Sequence, residues 1–320
     1  MDIETYNMPY EDYRMDDFDI VTVGHFSIDL IKLPNRNNTK PTLGGSTTYV
    51  SLSASKLDAK VSVISRVGKD FSEKYVRFLK NKGVDLTGLK IDKNTFTTSF
   101  FLNYDLSGER ELYLKHKAHP IEGNDLPSTL KSKAVHIAPI ANEISTETIN
   151  RLKTYDLTLS LDPQGLIRRF NKDGKTFLSS PEETDFLRGI DVVKASYNEA
   201  KTLTAQSDPI KMAKYIHQKG VKIILITRGA EPTLLSTENK MYFVPSAKPK
   251  TVVDTTGAGD VFIGAFLTMY VRDEDPLWCA CIGSAASSFV VEKYGPAGFG
   301  SMKHVKTRAS QVYNDAYIVA

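Results

Sequence analysis

Four short apolar runs, Val135 to Ala138, Leu157 to Leu161, Asp191 to Ala195 and Lys222 to Thr227, are separated by amphipathic stretches of helical period. Runs of this kind joined by helix-length connections specify parallel strands, because each strand needs the connecting helices to cover both of its faces. The chain is therefore expected to be an α/β protein, a doubly wound, mostly parallel sheet flanked by helices. Ligands of such sheets bind beyond the carboxyl ends of the strands. The polar residues at those ends are Asp162, Ser196, Glu199, Thr227 and Gly229. Two earlier runs, Asp19 to Gly24 and Val61 to Ser65, have the same texture; the first delivers a loop carrying Asp29, and Arg66 closes the second as a candidate polar contact.

Asp254-Thr255-Thr256-Gly257-Ala258-Gly259-Asp260 is followed by Val261 to Tyr270, an apolar helix pattern. Gly257 to Asp260 then forms a helix N-terminus, where unpaired N–H groups and the positive end of the dipole make an anion site that glycine lets a ligand approach. Phosphate binding does not explain a carboxylate beside that site, but a base that takes a proton from an attacking hydroxyl does, so Asp260 is the catalytic candidate. The bland alternative is an acid complementing the dipole beside a tight turn. A second glycine pair, Leu43-Gly44-Gly45-Ser46, precedes a helical stretch from Thr47 to Leu57 with Ser46 or Thr47 near its cap. Ser196 and Glu199 have the spacing of a capping box, which competes with a ligand role for both.

With 41% hydrophobic residues in 320, the chain can bury a large core. Lys and Arg number 41 against 38 Asp and Glu, and no dense basic stripe is present, so nucleic acid is not an expected partner. Cys279 and Cys281 are the two cysteines; they lie in the helical pattern Pro276 to Val291, where i and i+2 point apart, so buried thiols in a reducing compartment are expected. Nothing approaches about 18 uninterrupted apolar residues, and the N-terminus lacks a basic region followed by an apolar run, which leads to the expectation of a cytoplasmic protein with no membrane partner. Residues 1–18 read as an acidic extension ahead of one domain over 19–320. Gly174-Lys175-Thr176 does not complete a phosphate-binding P-loop, since Arg169 stands where its opening glycine belongs. Zinc and serine-hydrolase patterns are likewise absent from the sequence.

Ser99 to Tyr104 and Arg110 to Lys115 flank Asp105 to Glu109 as a hairpin that interrupts the βα alternation. The run from Asp254 to Asp260 resembles the Asp-Thr-x-Gly-Ala-Gly-Asp signature of the ribokinase (PfkB-type) sugar kinases at every specified position. The resemblance extends over about residues 19 to 309. It implies a ribokinase-like fold with a small β lid built from about 31–42 and 97–118, whose closure would exclude water from the reaction. It also implies phosphoryl transfer from ATP with Mg2+, and it carries Asp29, Gly44, Gly45 and Ser46 to the sugar site, with Asp162 also a substrate candidate.

Departures from the family pattern narrow the class. Tyr49 replaces the usual Asn after the glycine pair, and Ser196 replaces the Asn of Asn-x-x-Glu, leaving Glu199 as the stronger candidate for magnesium, directly or through water. Gln164 also stands where ribokinases carry Asn, and the stretch Asp162 to Arg168 is more similar to the myo-inositol kinase branch. Thr227, Gly229, Gly257 and Gly259 are implied to hold the nucleotide, Asp254 and Thr255 to flank a monovalent cation such as K+. The expected acceptor is a sugar or cyclic polyol, myo-inositol-like at the head, and a homodimer through the lid is implied. The alternatives are a nucleoside kinase, with Tyr49 stacking on a base, and a catalytically idle nucleotide- or polyol-binding protein.

Overall fold

The computed structural model describes residues 14–32, 39, 41–104 and 110–319. Its strands are β1 (Arg14–Val23), β2 (Ser27–Lys32), β3 (Pro41–Gly44), β4 (Val61–Gly68), β5 (Val84–Asp92), β6 (Ser99–Tyr104), β7 (Arg110–His116), β8 (Thr129–Ile137), β9 (Thr158–Leu161), β10 (Arg168–Phe170), β11 (Thr176–Leu178), β12 (Val192–Ser196), β13 (Ile223–Arg228), β14 (Glu231–Ser236), β15 (Met241–Val244) and β16 (Tyr317–Ile318). Its helices are α1 (Ser46–Lys56), α2 (Glu73–Asn81), α3 (Thr146–Leu152), α4 (Gln164–Ile167), α5 (Tyr197–Thr204), α6 (Pro209–His217), α7 (Ala258–Tyr270), α8 (Pro276–Val290) and α9 (Met302–Asn314).

Among the described residues the main sheet runs β16-β15-β14-β13-β12-β9-β8-β1-β4-β5. It is parallel from β5 to β13 and antiparallel from β13 to β16. The chain leaves β1 toward β4 and β5, then returns to β8 on its other flank, so the winding reverses between β1 and β8. Loops diverge at such a reversal and leave a crevice at the carboxyl ends of the strands. Strand alternation sends Ile20 and Val192 into a core with α1, α7, α8 and α9, and Val21, Val23, Val193 and Ala195 into a core with α3, α5 and α6. The four runs that are apolar on both faces have become β8, β9, β12 and β13 for that reason.

A separate sheet of order β3-β2-β6-β7 covers the crevice. Phe100 and Leu102 of this lid pack on Ile140 and Ala141, with Ile31, Leu112, Leu114 and Phe170 half-buried around them. The hairpin reading of β6 and β7 matches their antiparallel register, Phe101 opposite Tyr113; its loop, Asp105 to Glu109, lies outside the described residues, as do residues 33–38 and 40 of the other lid segment. The lid strands begin at Ser27 and continue to Gly44, so Asp29 stands on a strand rather than in a loop. The hairpin β10–β11 extends the lid: the Leu114 amide donates to the Gly174 carbonyl at 2.8 Å.

The first strand begins at Arg14 rather than Asp19. Arg14 and Met15 pair in parallel with Thr129 and Leu130, and the register shifts between Met15 and Phe18, with Asp17 at φ 67°. Met15 is 1% exposed, and its burial in the second core is what draws the acidic segment into the sheet. No helix among the described residues is long and apolar enough to cross a membrane. Cys279 and Cys281 are free and buried in α8, and burial pushes the Cys281 thiol up to about 12.

Met15→Ala is expected to cost ~3 kcal/mol of stability through the cavity left in that core. Chemical denaturation checks it, and an unchanged midpoint would place residues 14–18 outside the folded unit.

Candidate active site

α1 and α7 approach closely enough that a Cβ on Gly264 would lie 2.6 Å from the Val50 carbonyl oxygen. The Ser53 hydroxyl donates across the same seam to the Val261 carbonyl at 3.0 Å. This contact fixes the N-terminus of α7, whose cap residue Gly257 has φ 77°. A Cβ there would strike the Tyr49 ring at 2.3 Å, so both the left-handed backbone and the aromatic beneath it require glycine. Asp254 braces the turn from below, its Oδ1 accepting from the Thr256 amide at 2.9 Å and its Oδ2 from the Gly295 amide at 3.1 Å.

Two cavities meet at this turn, sharing Gln164, Arg168, Gly257 and Asp260 as walls. The larger, about 560 Å³, is lined also by Lys194, Ser196, Glu199, Thr227, Gly229, Thr255, Ala258 and Gly259. Small and apolar side chains, Ala247, Pro249, Val252 and Val291 among them, also line it. The smaller, about 70 Å³, is lined by Gly45, Ser46 and Tyr49 and by the lid residues Ser27, Asp29, Phe100, Leu102 and Leu112. Asp260 stands between the two.

The polar wall of the smaller cavity is wired together. Gln164 Nε2 donates to Ser46 Oγ at 2.6 Å and to Asp260 Oδ1 at 3.5 Å, while its amide donates to Asp162 Oδ1 at 3.0 Å. Ser46 is free for this because Gly45, at φ 85°, caps α1 without a side-chain bond. The Ser27 hydroxyl donates to Asp29 Oδ1 at 2.6 Å, and a Cβ on Gly44 would overlap the Asp29 carboxylate. The first glycine of the pair therefore makes room for an acid of the chain itself.

Asp162 lines neither cavity; it is fully buried behind Gln164 and ion-paired with Lys194. Burial, with Glu199 and Asp260 adding to it, pushes the Asp162 carboxyl up to about 6 against the pull of Lys194. For Lys194 burial works toward loss of the proton, but the carboxylates of Asp162, Asp260 and Glu199 outweigh it and hold the amine above the ordinary lysine range. Burial would raise the Glu199 carboxyl, yet Lys194, Arg168 and the hydrogen bonds from Ser196 keep it below the usual glutamate value. Ser196 and Glu199 do form a capping box, Ser196 N donating to Glu199 Oε2 at 2.8 Å, and both still line the larger cavity. The cap and the cavity-lining position coexist.

Arg66 lies apart from both cavities. Its guanidinium pairs with the buried Asp125 at 2.8 Å, which also takes Lys90 at 2.9 Å, so the candidate polar contact is a structural ion pair. Tyr49 is 2% exposed with its ring under Gly257, a position that supports the turn while the residue also lines the smaller cavity. Sequence reasoning passed over Lys194 and gave Arg168 no role. The signal for Lys194 is a charge inside the otherwise apolar run Val192 to Ala195.

Asp260 thus stands in the first turn of α7 and lines both the larger cavity and the smaller, hydroxyl-bearing one. The sequence profile described as "pfkB family carbohydrate kinase" matches residues 17–301. The chain belongs to the pfkB family of carbohydrate kinases. Its activity class is phosphotransfer to an alcohol group. It is 30% identical over 290 residues to the cytidine kinase of Thermococcus kodakarensis, covering 87% of this chain and 97% of that protein. It is 27% identical over 289 residues to a nucleoside kinase of Methanocaldococcus jannaschii, covering 86% and 91%. A pyrophosphate-dependent kinase of the ribokinase family, solved with a pyrophosphate analogue and myo-inositol, superimposes with a TM-score of 0.76 at 25% identity, covering 91% of this chain and 99% of that one.

Arg66→Met is expected to lower stability by up to about 3 kcal/mol, because it removes a cation paired with the buried Asp125 carboxylate. Acceptor KM of the folded variant stays unchanged; a selective rise in KM without loss of thermal stability would return Arg66 to the acceptor site.

Proposed function

We propose that this chain transfers the terminal phosphoryl group of ATP to a ring hydroxyl of a cyclic polyol or sugar, with a myo-inositol-like acceptor the leading candidate. The observation that carries this is Asp260, a carboxylate shared by the two cavities at the first turn of α7. Donor phosphates fit the larger cavity, where the N–H groups of Gly259 and Asp260 are those a first turn leaves unpaired, while that of Ala258 donates to the Thr255 carbonyl at 3.3 Å. The volume of about 560 Å³ and the apolar lining from Val252 and Val291 leave room for a nucleobase, which favours ATP over bare pyrophosphate. Thr227 and Gly229 line the same cavity and are assigned to the nucleotide.

Asp260 takes the proton of the acceptor hydroxyl as its oxygen bonds to the terminal phosphorus. The bond from that phosphorus to the bridging oxygen breaks, and the electron pair leaves with the nucleoside diphosphate. The α7 amides take up charge on the equatorial oxygens of the group in transit. Glu199 is an ionised carboxylate facing the donor cavity, and among the described residues no cluster of three His, Cys, Asp or Glu side chains forms a metal cage. Glu199 would hold a magnesium ion that travels with the phosphates, directly or through water, and the ion would supply charge to neutralise the leaving diphosphate. A potassium ion beside Asp254 and Thr255 would stiffen the same turn, and assays in potassium against sodium salts test it.

The acceptor cavity offers Asp29, Ser46, Gln164 and Asp260 to hydroxyls and Phe100, Leu102 and Leu112 to an apolar ring face. Its volume of about 70 Å³ favours a single ring. A nucleoside is the second reading, favoured by similarity to the cytidine kinase and by the apolar lid strip; it requires the lid to open around the base. An idle binding protein is disfavoured, because it gains nothing from a repelling carboxylate at a phosphate site.

A coupled ADP-release assay over polyols, sugars and nucleosides tests the assignment. Turnover is expected on the true acceptor, and Asp260→Asn is expected to lose ~10²- to 10⁴-fold in kcat. Retained turnover in that variant removes Asp260 from the chemistry, and cytidine turnover exceeding myo-inositol turnover establishes the second reading.

A further inference from the structure

Lys194 is a charge in the interior of β12, a parallel strand with β9 on one side and β13 on the other. Its neighbours in sequence, Val193 and Ala195, fill the core on one face of the sheet, and Lys194 points to the opposite face, toward the start of α7. A lysine so placed is costly unless its ammonium is answered by charge. Asp162 answers it directly, and Asp260 and Glu199 lie close enough to act on it. The ammonium has three N–H donors, and Asp162 accounts for one direction, while Lys194 also lines the donor cavity.

The glycine at 259 carries a second, independent indication. Gly257 needs glycine for its positive φ, but Gly259 has no such backbone. A Cβ on Gly259 would instead lie 2.9 Å from Lys194 Nζ and 3.2 Å from its Cε. The missing side chain at 259 thus lets a buried ammonium come up against the backbone of the anion-binding turn. Glu199 and Asp260 both face the cavity into which phosphate must enter, and each repels it. A cation beside the turn offsets that repulsion where the transferred group passes.

We propose that Lys194 is a catalytic residue, its Nζ anchored by Asp162 and donating to the terminal phosphoryl oxygens alongside the amides of α7. The proton stays on the ammonium throughout; Lys194 forms and breaks no covalent bond and stabilises charge on oxygens whose bonding changes around it. This rests on the phosphoryl-transfer reading above. The competing role is purely structural, with Lys194 present to neutralise Asp162.

The two roles separate in Asp162→Asn, Lys194→Met and the double variant, each checked for cooperative thermal unfolding. Replacing both members of a buried pair avoids the orphaned carboxylate that Lys194→Met alone leaves, so the double variant keeps the test valid if the single one does not fold. Relative to Asp162→Asn, the double variant is expected to lose ~10²-fold in kcat. Calorimetric titration in EDTA is expected to show ~10-fold or more weaker binding of the non-hydrolysable triphosphate AMP-PNP, with ADP binding largely retained. Gly259→Ala, which pushes the ammonium back without removing it, is expected to show the same selectivity. A double variant that matches Asp162→Asn in kcat and in AMP-PNP binding overturns the proposal, as does equal weakening of AMP-PNP and ADP. If the wild-type protein turns over no acceptor, the phosphoryl-transfer reading fails, while the AMP-PNP and ADP titrations still decide whether Lys194 meets the terminal phosphoryl group.

Discussion

The close seam between α1 and α7 is the constraint from which the site follows. Gly264 admits the Val50 carbonyl and Ser53 ties to Val261, so the two helices cannot slide without breaking a buried contact. The same seam carries Tyr49 beneath Gly257 and Ser46 opposite Gln164. One packing contact therefore fixes the height of the first-turn amides of α7 and the position of the wall that carries Ser46 and Gln164 together. Asp260 gains its place between two cavities from this, since it lies between the seam contacts at Gly257 and Val261.

Electrostatics divides the work among the carboxylates. Asp162 is withdrawn behind Gln164 and paired with Lys194, Glu199 is held ionised by its own helix N-terminus and by nearby cations, and Asp260 faces both cavities. The groups are near enough to influence one another, yet each has a different partner, and that is how acids in one cleft acquire different roles. The lid completes the enclosure from the other side. Its apolar strip from Phe100 and Leu102 rests on Ile140 and Ala141, and the β10–β11 hairpin joins its outer strand to the chain segment that bears Arg168. Displacing that strand would thus be felt at a residue lining both cavities.

Much of this was legible before any coordinates. The apolar runs at β8, β9, β12 and β13 announce themselves because a strand buried on both faces has no polar alternation to obscure it. The turn Asp254 to Asp260 is legible because glycine spacing, a following apolar helix and a misplaced acid occur within seven residues. The start of β1 at Arg14 was not, since its acidic segment has no period of its own and is organised by pairing with Thr129 and Leu130, far away in sequence. The antiparallel continuation β14–β15–β16 is similar: two-residue β16 exists as an edge strand because β15 offers it a partner.

By itself the sequence determined the α/β alternation, the lid hairpin, the helix N-terminus at Gly257 and the acid at its first turn, all of which depend on residues near one another in the chain. Only the tertiary structure decided which polar residues share a cavity. Arg66 and Lys194 look alike in the sequence, each a cation in or at the end of an apolar strand, and they differ in what long-range packing brings to them. Arg66 meets the buried Asp125, 59 residues away, and is spent on the fold. Lys194 meets Asp162 and the backbone of Gly259 and is delivered to the larger cavity, because a charge's role is set by the groups within a few ångströms of it and those are chosen by the fold.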